Sequence, residues 1–415
     1  MNRNDRHTSL NFLLQGITTL LNFAASVLLI GALGPKGQAA WTVYQQFAAG
    51  AVLLIGSGIP QSLVFGLASG KWPLKQTLHQ ILWYLLFGIV LSALLFSVLP
   101  SSWQQFLAAI PAQGSFSFLV FLWILIAAQV MQQVVQALLQ VRQLFILAAV
   151  LSALSSLCTL CIYALLRIYH WPPFETAVPT LIAVSLLQVL TALVVLRAQD
   201  WPKTDAIRPK GHLLRHHILP TASVFFLANA VQFLNYKADI WIIRAFHADD
   251  TQLGIYTLAV SLVQLLWLLP NVVHTILYTR VSANSAAGLQ ETRRMYPRMM
   301  IYALIGGLAG WGISYLVIPW WYGEAFTAAS SLIGILLPGI VLISGALCLS
   351  AWFAGSGQAR INLQGSLIGL ALTLLAGFSL IPFYGIYGAA WASVISYAGT
   401  ALFYSFMFFR STQHP

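Results

Sequence analysis

Lys237 and Asp239 are the two formally charged side chains that fall well inside an apolar span, in the stretch ILPTASVFFLANAVQFLNYKADIWIIRAF from Ile218 to Phe246. Placing charge in hydrocarbon costs roughly 2.5–3.5 kcal/mol on insertion scales, so an intramembrane ionisable residue marks a candidate functional site. Asn229, Gln232, Tyr236 and Asp239 follow one another at offsets of three, seven and ten, which stack on one face of a helix. Lys237 lies about 160° round from Asp239, so the two do not form a simple same-helix ion pair. It lies roughly 9 Å of helix rise before Ile243, in the outer half of the span. The lysine therefore has two readings. It snorkels to the outer interface or pairs structurally with a carboxylate on another helix, or its compact ammonium meets an anionic headgroup such as a phosphate. Asp239 tunes the lysine, holds the helix in register, or takes up a coupling cation.

Two further polar stripes have helical spacing. Asn11, Gln15, Thr18, Asn22 and Ser26 share one face near the N-terminus, and Gln129, Gln132, Gln136 and Gln140 share another, with Gln133 beside them. Polar side chains facing lipid are costly, so these faces turn towards one another, as interhelical glue, or line an aqueous cavity. His274, near the inner end of its span, reads as interfacial or as a proton relay.

The elements that carry these residues follow from composition. Of 415 residues, 59% are hydrophobic and 7% charged, with mean hydropathy +0.81, against the roughly 25% charged residues of soluble domains. Apolar runs of about 20 residues predict an all-α polytopic membrane protein with about twelve transmembrane helices, at 10–32, 41–66, 78–99, 116–138, 144–167, 177–196, 218–243, 253–277, 299–319, 331–354, 361–381 and 386–409. The first run is too long for a cleaved signal segment and reads as a retained span. With a cytoplasmic N-terminus, most of the 20 Lys and Arg fall on inner connections, and only Lys36, Arg167 and Arg244 on outer ones. That is the positive-inside pattern, so both termini are expected in the cytoplasm and the +11 net charge reflects orientation rather than nucleic-acid binding.

The polar stretch Arg197 to His217 divides the chain into an N-terminal six-helix lobe at 1–196, a cytoplasmic linker at 197–217 and a C-terminal six-helix lobe at 218–415. LGPKGQAAWTVY with Pro60 beyond it, and LGIYTLAV with Pro270 beyond it, are a faint repeat between the lobes. Transporters built from repeats leave such traces and place their site between the halves. GSGIP at 56–60, Pro270, LLPG at 336–339 and GSG at 355–357 predict interrupted or ended helices. Cys158 and Cys161 form a CxxC in an apolar helix without a partner pair or nearby His, and read as small core residues. The sequence holds no P-loop, GxSxG, HExxH or Cys/His cluster, and nine acidic residues leave little for acid–base catalysis. No catalytic residue, metal or cofactor is expected.

Leu33-Gly34-Pro35 with Gly37, Gly58-Ile59-Pro60, Tyr236-Lys237-Ala238-Asp239 followed by Leu253-Gly254-Ile255-Tyr256, and the block LIPFYGIYGAAWAS near the C-terminus occur in the order seen in one family. The chain resembles the Wzx-like branch of the MOP (MATE-like) superfamily, flippases of lipid-linked oligosaccharides. The resemblance implies a V-shaped pair of six-helix lobes around a central cavity, alternating access, and a substrate made of a polyprenyl diphosphate carrying a short glycan. It further implies transfer from the cytoplasmic to the periplasmic leaflet of a bacterial inner membrane for surface polysaccharides such as O antigen and lipopolysaccharide. Coupling to protons, sodium or the membrane potential is implied too, as is a polysaccharide polymerase partner. Lys237 becomes the leading diphosphate contact. Asp239, Asn229, Gln232, Tyr236, Asn11, Gln15, Asn22, Gln129, Gln132 and Gln136 complete the candidate substrate-binding set. Family cavities tend to hold several cations, whereas here one intramembrane lysine is clear, with Arg142, Arg244 and Arg360 at span ends.

Two other functions compete. A cation-coupled multidrug exporter of the same superfamily needs acidic cavity residues, and the first lobe offers none within its spans. A membrane polymerase or ligase for lipid-linked glycans needs a charged outer loop, and the connection from Pro100 to Ser115 carries no charge.

Overall fold

The computed structural model describes residues 3–56, 58–68, 72–109, 115–198, 218–247, 249–283 and 285–413. The described chain is helical: α1 (Arg3–Gly56), α2 (Ile59–Ala68), α3 (Leu74–Ser97), α4 (Ser101–Ala108), α5 (Ser115–Val141), α6 (Phe145–Tyr169), α7 (Pro173–Arg197), α8 (Leu219–Phe246), α9 (Asp250–Gln264), α10 (Leu268–Ala283), α11 (Ser285–Tyr322), α12 (Ala328–Gly355) and α13 (Ala359–Gln413). Among the described residues nine helices are long and apolar enough to cross a membrane, and two of them, Leu13–Val64 and Arg360–Ser411, run for 52 residues each. Each of those two is a pair of spans. Gly34 at φ 67 breaks α1, and Gly385 at φ 56 breaks α13. At Gly34 the positive φ suits a residue without Cβ, and Pro35 behind it both lacks an N–H and disfavours helical backbone in the residue before it. With α8, at 28 residues, the segments fall one to one on the spans read from the sequence.

The breaks follow local chemistry. α2 begins at Ile59-Pro60, where a proline's missing N–H is harmless. Leu265–Trp267 tightens into a 3-10 turn between α9 and α10. Pro270 cannot donate to the Leu266 carbonyl one turn earlier, and the tighter turn absorbs the defect. Gly357, at φ 80, ends α12 as expected. Three features differ from the expectation. α12 continues past Pro338 as one helix, embedded among packed neighbours that supply the order the lost hydrogen bond does not. α11 starts fourteen residues before the expected 299, so Arg293, Arg294 and Arg298 ride a helical extension rather than a loop. The uncharged outer connection contains the short helix α4. The stretch expected to link the lobes, 197–217, lies beyond Ala198 outside the described residues.

Two compact units form. The first comprises residues 1–33 and 43–230, the second residues 34–42 and 231–415. In the first unit α5 is the central helix, packing on α2, α3, α6 and α7. Its apolar side supplies Leu122, Leu125 and Ile126, all fully buried. In the second unit α12 holds that place, against α9, α10, α11 and α13. Small residues let its neighbours approach: Gly339 lies against Val394, and Gly345 against Met300 and Tyr296. The segment 34–42, although early in the chain, belongs to the second unit. A Cβ on Gly254 would meet the Pro35 carbonyl, and Gln38 Nε2 donates to the Thr257 hydroxyl at 3.5 Å. The LGP and LGI stretches noted as a repeat therefore pack on each other.

Candidate functional site

The glutamine stripe of α5 lines a cavity of about 830 Å³ in the first unit. At 3.6 residues per turn Gln129, Gln132, Gln136 and Gln140 fall within one quarter of the helix circumference, while Val130, Val134 and Leu138 turn to the core. Gln133 sits at the edge. Gln61 of α2, Ser152 of α6 and Asn229 of α8 add polar groups, and Ala49, Val52, Leu53, Pro60, Val64 and Ala137 form the apolar wall. Among the described residues the lining holds no charged side chain.

One buried amide organises this wall. Gln188 of α7 is 4% exposed. Its Oε1 accepts from Gln132 Nε2 at 2.5 Å and from the Ser155 hydroxyl at 3.3 Å, and its Nε2 donates to Ser152 Oγ at 3.3 Å. α5, α6 and α7 are thus tied through one side chain, and Gln132 and Ser152 are held at the cavity surface. A lone Gln in the apolar run of α7 was the sequence signal for it.

The α8 stripe divides. Asn229 lines the cavity in the first unit. In the second unit Gln232 is exposed and accepts from Ser366 at 3.5 Å. Tyr236 and Asp239 line a small space of about 10 Å³ with Tyr256, Gln264, Trp267, Ser393 and Tyr397. That is of the order one water requires. Tyr236 packs against Trp267 at 5.3 Å and Tyr397 at 6.4 Å between ring centroids. Asp239, 9% exposed, accepts from the Tyr256 hydroxyl at 2.5 Å and from the Ile240 backbone N–H at 2.9 Å. The Tyr256 oxygen lies 3.2 Å from Ser393 Oγ. Asn235, off the stripe and so missed by periodicity, accepts from Thr373 at 3.0 Å and Ser396 at 3.3 Å.

Lys237 is half-buried on α8. Among the described residues the ion pairs are Arg244 with Asp250 at 3.4 Å and Arg280 with Glu291. Lys237 joins neither, and Arg244 is engaged. Arg142 is half-buried beyond α5, and Arg360 is exposed at the start of α13. Outside the spans, hydrogen bonds from Thr251 hold the exposed Asp249 carboxyl below the usual carboxylate range and cap α9.

On α1, Gln15 and Asn22 are exposed, and the Thr18 and Ser26 hydroxyls bond the carbonyls of Leu14 and Asn22 one turn back. The Asn11 side chain lies outside the described residues. His274 is half-buried on α10, and Cys348 is buried; Cys158 and Cys161, expected as small core residues, are instead exposed, because an apolar helix of a membrane protein can turn small side chains outwards as readily as inwards. Among the described residues no three His, Cys, Asp or Glu side chains gather as a metal site.

Residues 6–282 match the family model described as polysaccharide biosynthesis protein. No curated protein sequence matches the chain. Solved structures share the fold. A lipid II flippase MurJ in an inward closed conformation aligns with TM-score 0.76 at 14% identity over 96% of this chain and 87% of that one. An inward-facing multidrug resistance MATE family transporter of the MOP superfamily aligns with TM-score 0.64 at 14% identity, over 96% of each chain. A MOP superfamily transporter from Pyrococcus furiosus, whose binding pocket is described as reversed in polarity, aligns with TM-score 0.62 at 14% identity over 97% of this chain and 94% of that one.

Proposed function

Because this multi-pass membrane protein belongs to the polysaccharide biosynthesis protein family of MOP-superfamily flippases, we propose that it turns a polyprenyl diphosphate-linked oligosaccharide across a bacterial inner membrane. The glycan passes from the cytoplasmic to the periplasmic leaflet by alternating access, and the product feeds surface-polysaccharide assembly, O antigen or lipopolysaccharide among the destinations, where a polymerase receives it. The observation that carries this reading is the cavity of about 830 Å³ lined by the α5 glutamines. Carboxamides offer donors and an acceptor each, the complement of sugar hydroxyls, while the prenyl chain stays in the bilayer. Lys237, which shares no ion pair with a described residue, is the cation for the diphosphate.

Substrate drives the cycle only through its different affinity for the inward-open and outward-open states. Asp239, a buried carboxyl beside room for one small species, is the group through which a proton or sodium ion, or the membrane potential, couples to that cycle. Export of cationic drugs fits less well, because the described lining of the large cavity contains no carboxylate.

The test is flipping of a short-chain polyprenyl diphosphate glycan in proteoliposomes, with wild type, Lys237→Ala, Lys237→Arg and Asp239→Asn at matched folded levels. Wild type is expected to flip, Lys237→Ala to lose most of the rate, and Lys237→Arg to keep part of it. Extrusion of a cationic dye by a wild type that flips no glycan lipid would overturn the reading.

A further inference from the structure

Resting on the flippase reading, we propose that the glycan recognised in the first unit is electrically neutral, and that Gln188 positions the amide surface that selects it. Three observations carry this. Among the described residues the cavity wall presents six glutamines and Asn229 with no Lys, Arg, His, Asp or Glu. Gln61, Gln129, Gln133, Gln136 and Gln140 make no side-chain hydrogen bond to any described residue, so their donors and acceptors are left for a ligand or water. Gln132, by contrast, is fixed through the almost fully buried Gln188.

A carboxylate on a sugar, such as a uronic acid, would exchange its hydration for amide contacts without a cation, and a charge moved from water without a charged partner is strongly disfavoured. Hydroxyl and N-acetyl groups suffer no such loss, since each amide N–H and oxygen can replace a water bond. The selection is therefore against charge, by the absence of a partner, as much as for hydroxyls. Gln188 acts by spending one Gln132 N–H and leaving the Gln132 oxygen and second N–H for the cavity. It touches the sugar only through Gln132 and Ser152, so it is a positioning residue.

The experiment compares two short-chain polyprenyl diphosphate lipids in proteoliposomes, identical except that one trisaccharide is neutral and the other has a uronic acid in place of a hexose. Wild type is expected to flip the neutral lipid at least about tenfold faster. Gln136→Lys is expected to shrink that ratio by raising the acidic lipid's rate. Gln188→Leu is expected to raise KM for the neutral lipid about fivefold with kcat kept, since about 1 kcal/mol of ground-state contact is lost; a purely structural role would lower the folded amount and leave KM alone. Equal flipping of both lipids by wild type overturns the neutral-glycan inference and leaves the flippase standing. Flipping of neither overturns both. An unchanged KM in folded Gln188→Leu removes the positioning role.

Discussion

The Tyr256 hydroxyl donates to the Asp239 carboxyl at 2.5 Å, joining two residues seventeen positions apart on α8 and α9. Both are buried, and Ser393 of α13 lies 3.2 Å from the same hydroxyl. Three helices of the second unit therefore meet at one oxygen. Tyr256→Phe leaves a buried carboxyl oxygen short of its donor, which costs about 1–3 kcal/mol. Unfolding in mixed micelles should show that loss, and the cycle with Asp239→Asn should show coupling of about 0.5–3 kcal/mol. Strict additivity of the two substitutions would sink the pairing.

Asn235 ties α8 to α13 by accepting from Thr373 and Ser396. Interhelical hydrogen bonds in membranes average about 0.6 kcal/mol each, so Asn235→Ala should cost about 1 kcal/mol. Gly369 lies against the same amide, and a Cβ there would sit 2.9 Å from Asn235 Nδ2 and 2.7 Å from Thr400 Oγ1. Gly369→Ala should therefore destabilise the protein, and Asn235→Ala should relieve part of that loss. Denaturant midpoints of the four proteins in the cycle give the answer, with no relief counting against the contact.

Gly254 allows the 34–42 segment to dock, because a Cβ there would meet the Pro35 carbonyl. Gly254→Ala should cost about 1–3 kcal/mol as overpacking. Gly310→Ala is the control, since nothing lies within 4 Å of a Cβ at that helical position; it should be neutral or stabilise by up to about 1 kcal/mol. Thermal unfolding of the purified variants separates them. Equal midpoints would mean the segment docks without need of a bare Cα.

Much of the helical architecture can be read from the chain alone. Span number, the breaks at Gly34-Pro35, before Pro60, near Pro270 and at Gly357, and the sharing of one face by Gln129, Gln132, Gln136 and Gln140 all follow from hydropathy, missing N–H groups and a period of 3.6. These are local properties, fixed within a few turns of helix. Pro338 and the early start of α11 were misread because neighbours, not local sequence, decide whether a helix survives a proline or continues past a membrane boundary.

The partners of each face were decided only by tertiary structure. The α5 stripe and the α8 stripe look alike in sequence, yet the first lines a large cavity with no charge among its described residues, while the second contributes Asn229 to that cavity and Tyr236 and Asp239 to a space for one water. Gln188 and Asn235 have no stripe to announce them; each matters because packing brings it to residues 56 and 138 positions away. Helical periodicity tells which side chains share a face, because the backbone hydrogen bonds that set it span four residues. Which faces meet depends on how all the helices of a unit pack at once, and that is a property of the assembled chain.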